Sequence, residues 1–394
     1  MGGTMIRTMF ATAAACALAA GLASAARAEP AVIVDAAYKA EAMTVVAGGL
    51  GRGTRVLDNL DIVIDADFER IMSWKGARGR LYFLSNQGGA PNDLAGTAQG
   101  VSNIEVADDR AKLYEAWIEQ DLAGGRAALL LGLADLNADF YANDASGLLL
   151  APAFGIGSEL GATGPNGPSI FPSTALTARL RVSPTEQSYV QAALINARAG
   201  VLGDPGGVDF GFDDGALAIA EAGVTVSGKV ALGYWRYTER QDDVRTLGPD
   251  GDPLRRVAQG AYLLAERRLM GAPDGAGLDG FVRLGVSDGR TTPFRGGWQA
   301  GLLFGGIVPG RPDSQLSFGV HQAWLSNGYR ANARDAGEDL AAAETGFELT
   351  YSDRVLPFLT VQPDIQYVLD PAGERAVDDA LVIGLRLTFE FSNR

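Results

Sequence analysis

The segment Ala111–Leu122 (AKLYEAWIEQDL) gathers the residues best equipped for chemistry. In an extended chain alternate side chains share a face. Glu115, Trp117, Glu119 and Asp121 therefore fall on one parity, and Tyr114, Ala116 and Ile118 on the other. Guanidinium groups of matching parity lie on nearby segments: Arg78 and Arg80 before it, Arg179 and Arg181 after it, and Arg283 and Arg386 further along. Two readings stay open. Such Arg and carboxylate groups pair with each other and shape the field of a wet surface, or they offer hydrogen-bonding forks beside an aromatic platform. Arg suits the second role because its planar group donates two bonds at once to neighbouring oxygens.

Other chemistries find little support. The chain has one Cys and one His, Cys16 and His321. Nucleophilic catalysis needs a base beside the nucleophile, and His321, the only imidazole, sits in an alternating segment without a G-x-S-x-G motif; it reads as a packed or pore-lining residue. Metal and cofactor sites are not expected. Acids outnumber bases 47 to 33, so there is no basic face for nucleic acid. The glycines of 155–172 are not followed by the Lys of a phosphate-cradling loop.

The elements that position these residues are strands. Met1–Ala28 reads as a secretory signal peptide, with Ala26-Arg27-Ala28 as its cleavage site. Cleavage there would remove the only Cys. Beyond residue 28 no apolar run reaches the length of a membrane helix, and period-two alternation recurs instead. At the C-terminus Leu381, Ile383, Leu385, Leu387, Phe389 and Phe391 oppose Gly384, Arg386, Thr388 and Glu390. About sixteen such segments are legible, near 32–48, 52–68, 78–87, 111–122, 126–136, 174–182, 188–198, 215–226, 229–238, 255–268, 278–287, 295–307, 314–325, 341–352, 357–368 and 380–391. Their connections mostly alternate between short and long. The short ones include Ala123–Gly125 and Ser227-Gly228; the long ones include Gly88–Arg110, Asn137–Ser173 and Glu239–Leu254. One polar and one apolar face per strand, with short and long connections in turn, predicts an all-β, up-and-down antiparallel transmembrane barrel occupying residues 29–394 as one domain. The polar parity then faces the lumen and places Trp117 inside, unless that ring joins an interfacial girdle, as expected for Tyr234, Trp324 and Phe391.

The loop near 138–172 is too long to be a simple connection, and its apolar content (Leu148, Leu149, Leu150, Phe154, Ile156, Ile170, Phe171) argues against disorder. A loop folded into the barrel that narrows the pore is the favoured reading; a lid over the outer rim is the alternative. Asn166 and Phe171 are its candidate constriction residues.

Four blocks then resemble the carbohydrate-selective porin family (OprB type): QGVSNIEVADDRAKLYEAWIE at 99–119, LADLN at 133–137, GIGSELGATGPNGPSIFP at 155–172 and QPDIQYVLDPAG at 362–373. They occur in the family's order across most of the chain. The resemblance implies a sixteen-stranded barrel in the outer membrane of a Gram-negative bacterium, passing carbohydrates, monosaccharides such as glucose among them, down a gradient. A general porin for small hydrophilic solutes is the alternative. On this reading Arg80, Glu115, Trp117, Glu119, Arg179, Arg181 and Arg283 line the sugar path. The implied partners are the sugar, outer-membrane lipid, the barrel-assembly machinery and, porins often being trimers, two further copies of the chain. The assembly machinery commonly reads a terminal aromatic residue, whereas Ser392-Asn393-Arg394 come after Phe391 here.

Overall fold

A computed structural model describes residues 30–272 and 276–394; the signal-peptide segment lies outside them. Sixteen strands form a closed barrel. They are β1 Val32–Ala47, β2 Gly53–Asp67, β3 Ala77–Gly88, β4 Arg110–Leu122, β5 Ala127–Ala134, β6 Ala175–Thr185, β7 Ser188–Asn196, β8 Ala216–Val224, β9 Lys229–Leu247, β10 Pro253–Gly271, β11 Gly277–Ser287, β12 Phe294–Gly305, β13 Gln315–Leu325, β14 Ala343–Leu356, β15 Leu359–Leu369 and β16 Ala380–Ser392. Each pairs antiparallel with its neighbours in sequence, and β1 closes on β16. Closure leaves no unpaired edge, which a spanning sheet in lipid requires.

The alternation decides which face is which. On β16 Val382, Gly384 and Arg386 are buried toward the lumen, while Ile383 and Leu385 stay exposed on the outside. The outward rows carry aromatic side chains near both rims, among them Tyr234, Trp298 and Trp324 toward the long-loop rim and Phe389 and Phe391 toward the short-turn rim. The indole nitrogens of Trp298 and Trp324 both donate to Gln322 Oε1, at 3.2 and 2.7 Å.

The ladder departs from the hydropathy pattern at β9 and β10. Glu239–Leu254 reads as a loop, yet pairing continues to Leu247 and Pro253, leaving a tight turn. Above the membrane a strand needs no apolar face. Its charges pair across instead, Arg255 with Asp242 at 3.0 Å and Arg256 with Asp243 at 3.3 Å. The helix Asn327–Asp335 leans on this extension, Asn332 donating to the Val244 carbonyl at 2.6 Å.

The residues beyond Phe391 finish the seam. The Val34 amide donates to Asn393 Oδ1 at 2.9 Å, the Asn393 amide returns a bond to the Val34 carbonyl at 3.3 Å, and Arg394 pairs with Asp35 at 2.8 Å. Deleting Asn393 and Arg394 should lower the temperature at which the folded barrel opens on a gel by roughly 2–5 °C, as loss of a few exposed hydrogen bonds implies. An unshifted transition would show the tail to be idle.

Candidate functional site: a lumen narrowed by two inward loops

The long connection between β5 and β6 turns into the barrel. It begins where Asp135 caps a short helical turn, its side chain accepting the Asn137 amide at 2.7 Å. Four wall residues then strap it down. Glu221 on β8 accepts the Tyr141 amide at 3.2 Å. Glu266 on β10 accepts those of Asp144 and Ala145 at 2.7 and 3.0 Å. Glu348 on β14 accepts that of Ala151 at 2.9 Å and that of Leu150 as well. Arg283 on β11 donates to the carbonyls of Tyr141 at 3.0 Å, Gly155 at 2.8 Å and Phe154. Wall glycines make room: a Cβ on Gly285 would collide with the Glu159 carboxylate, and one on Gly319 would meet the Phe154 ring at 2.5 Å.

Arg283 stands in the wall of a lumen cavity of about 410 Å³, but its side chain is taken up by the loop. It is 1% exposed and spends its donors on loop carbonyls, which makes it an anchor of the loop. Asn166 departs from the constriction expected of it. It lies near the long-loop rim, clamping the next loop through Ala199, with bonds of 2.7 Å to the carbonyl and 3.0 Å from the amide. Phe171 lies in the walls of three neighbouring cavities.

A second loop, 89–109, also folds inward, which the alternation and loop lengths do not announce. Glu344 accepts the Ala98 and Gln99 amides at 2.6 and 3.2 Å, Gln366 donates to the Val101 carbonyl at 2.8 Å, and Arg386 donates to Asn103 Oδ1 at 2.7 Å. His321 is packed between the two loops, with Nδ1 2.9 Å from Gln99 Nε2 and its ring edge-on to Phe154 at 5.2 Å. The available signal is small: Leu94, Val101, Ile104 and Val106 are scattered apolar residues in a largely small and polar loop.

Three cavities adjoin in the lumen, two of them between the loops. One of about 410 Å³ is walled by Asn103, Glu105, Asp135, Asn137 and Phe171. A second of about 340 Å³ shares Asn103, Gly147 and Phe171 with it and adds Lys39, Asp61, Tyr82 and Arg386. A third, of about 520 Å³, opens on the short-turn side beside Asp65, Arg78, Arg80, Glu115, Trp117, Glu119 and Arg179, and shares Asp135 with the first.

In that third cavity the charges pair. Arg80 grips both oxygens of Asp65, at 2.7 and 3.0 Å, and lies 3.7 Å from Glu115. Glu119 receives both Arg78 and Arg179, and Arg179 reaches Asp139 at 3.2 Å. The Arg80 guanidinium lies 5.4 Å from the centre of the Trp117 ring. Arg181 sits apart, 4.3 Å over the Tyr189 ring.

Tyr114 corrects the parity reading. Alternation assigns it to the apolar face, yet it is 3% exposed and turned inward. The ladder between β3 and β4 slips at Tyr82/Phe83, leaving Tyr114 as an extra residue between Leu113 and Glu115. Such a bulge re-aims the side chains on one side of it. The result is an aromatic series that parity alone hides: Phe171 to Tyr114 at 6.4 Å, and Tyr114 edge-on to Tyr82 at 5.0 Å. Tyr114 donates to Asp135 and Tyr82 to Asp61, each at 2.7 Å. Lys112 and Glu115, both polar but of opposite parity, are the available sign of the bulge.

Two loop carboxyls carry shifted acidities. Burial pushes Asp135 up to about 7 against the pull of the Tyr114 hydrogen bond, and burial likewise raises Glu105 to about 7.

The comparisons agree with this architecture. Residues 51–391 match the profile of the family described as "Carbohydrate-selective porin, OprB family". "Porin B" of Pseudomonas aeruginosa is 23% identical, over 90% of this chain and 86% of that one. "Putative porin QuiX" of Acinetobacter baylyi is 31% identical over a shorter stretch, 27% of this chain and 28% of that one. Among solved structures, the high-pH form of Pseudomonas putida OprB superposes with a TM-score of 0.80 at 22% identity, covering 92% of this chain and 94% of that one. Its low-pH form gives 0.56 at 18% identity, covering 91% and 92%. The profile spans nearly the whole barrel, and the chain belongs to the carbohydrate-selective porin family, OprB, as a channel for carbohydrates.

Proposed function

We propose that a neutral monosaccharide crosses the barrel along the three adjoining cavities, stacking first on Phe171 and later on Trp117. The observation that carries this reading is that Phe171, Tyr82 and Trp117 stand in the walls of adjoining cavities among paired ions, with the buried Tyr114 backing the first two. A pyranose has an apolar ring face and a rim of hydroxyls. The rings take the face, while Asn103, Asp61, Asp65 and Arg80 stand at the cavity walls to take hydroxyls. Because the charges are already neutralised by one another, each such contact is weak. Binding near 1 mM, about −4 kcal/mol, allows release, which a channel requires. Arg179 and Arg181 act here through the field and packing of the wall, Arg179 through its carboxylate partners and Arg181 through Tyr189.

The short-turn rim faces the periplasm and the long-loop rim the outside, as in outer-membrane barrels generally. The chain is exported by cleavage after Ala28, inserted by the barrel-assembly machinery, and able to assemble as a homotrimer. It performs no catalysis.

Sugar block of the single-channel current tests the reading. Phe171→Ala and Trp117→Ala should each lose about 1 kcal/mol of stacking, roughly fivefold weaker block by glucose, with ion conductance equal or slightly raised. In liposome swelling, sugars should outrun amino acids of equal size in the parent protein. Equal rates for both solutes would favour a general porin.

A further inference from the structure

The outer wall carries an open apolar trench on the face formed by β9 to β13. It offers about 700 Å³ and runs from the Ser227-Gly228 turn up to Trp298. The pairing register explains its floor. Ala265, Val282, Ala300 and Val320 lie side by side in one row, and Arg267, Gly280, Leu302 and Phe318 in the row beneath. Ala265, Gly280 and Ala300 leave the floor low, while Leu269, Leu302, Phe318 and Trp298 stand as walls.

At the short-turn end of this apolar trench stands a cation. Arg267 points outward, is exposed, and makes no ion pair among the described residues. Inward arginines behave differently: the adjacent Arg268 pairs with Asp279 at 2.7 Å, and elsewhere in the wall Arg78 and Arg179 share Glu119. An Arg on the lipid side costs least near an interface, and Arg267 lies level with the turn that ends the wall, beside Gly228 and its neighbour Ser227.

We propose that this trench holds one glycerophospholipid of the periplasmic leaflet, its phosphate on Arg267 and one acyl chain laid along Ala265, Gly280 and Ala300. The match is of both kinds. A guanidinium binds phosphate oxygens in pairs, and an acyl chain fills an apolar groove that a flat bilayer would otherwise have to bend to reach. The membrane placement rests on the family; the identity of the transported sugar plays no part.

The test is native mass spectrometry of barrels extracted with their surrounding membrane, followed by titration with phosphatidylglycerol. The parent protein should keep one phospholipid after the bulk lipid is stripped. Arg267→Gln should weaken retention about tenfold, the worth of one charge-assisted contact. Ala300→Phe, which fills the floor, should abolish retention. Both residues face outward, so both variants should fold as heat-modifiable barrels with parental conductance and sugar block, readouts that report separately on the channel reading. Retention equal in all three proteins would overturn the site. So would a trench occupied by a second copy, seen as cross-links between protomers through Leu269 and Phe318.

Discussion

Arg283→Met should give a barrel with severalfold higher single-channel conductance and little remaining sugar block. Arg283 holds three carbonyls from two separate turns of the inward loop, those of Tyr141, Phe154 and Gly155, and it does so from a site almost closed to water. Losing several buried hydrogen bonds from a charged donor, at roughly 1.5–3 kcal/mol each, costs about 3–5 kcal/mol or more. The barrel itself bears little of that loss, because its strands are tied by their own ladders. The loss falls on the docked position of the loop. A bias of that size shifts a docked–undocked balance by more than about a hundredfold. With the segment 141–155 released, the cavity that Phe171 lines loses the wall supplied by residues 142–156. Heat modifiability on a gel would confirm that the variant still folds. A folded variant with parental conductance and parental sugar block would show that Glu221, Glu266 and Glu348 hold the loop without Arg283, and that this residue does not set the pore.

The contrast between Arg283 and Trp117 shows how far alternation reaches. It places both side chains inward, and both are inward. Their roles then depend on the groups standing opposite, and alternation carries no information about those. Trp117 faces an open cavity beside Arg80, while Arg283 meets a loop more than a hundred residues earlier in the chain. The strands are legible because lipid on one side and water on the other force a period of two on every crossing. The extension of β9 and β10 is not, because beyond the membrane that pressure is gone. Tyr114 is misplaced by a single bulged residue, which inverts parity for everything on one side of it. The inward fold of 89–109 escapes detection for a related reason. Its anchors, Glu344, Gln366 and Arg386, lie at the far end of the chain, and the barrel brings them close only when β16 closes on β1.

The cation preference of the channel should rise roughly two- to fivefold between pH 6 and pH 8, as two added charges in a low-dielectric cavity imply. Glu105 and Asp135 sit on the two inward loops and wall the same cavity of about 410 Å³. Burial raises both carboxyls to about 7. Around Asp135 stand the Tyr114 hydroxyl and the Asn137 amide, which favour its ionised form, and Glu115 and Asp139, which oppose it. Around Glu105 the Asn92 amide favours ionisation, while Asp93 and Glu41 oppose it. A carboxyl with a raised pKa binds its proton more tightly in the docked loop than in the released one. Its contribution to docking is therefore complete below the ordinary carboxylate range and is lost as the pH climbs through about 7. Two effects then act in the same direction: the cavity gains up to two negative charges, and both loops are held less firmly. Reversal potentials in a salt gradient measure the first, and conductance in symmetric salt the second. Glu105→Gln with Asp135→Asn should flatten both curves and fix the channel in its low-pH behaviour. A parent protein whose selectivity is the same at pH 6 and pH 8 would mean that both groups are already ionised at the lower value, and that the cavity carries its full charge throughout.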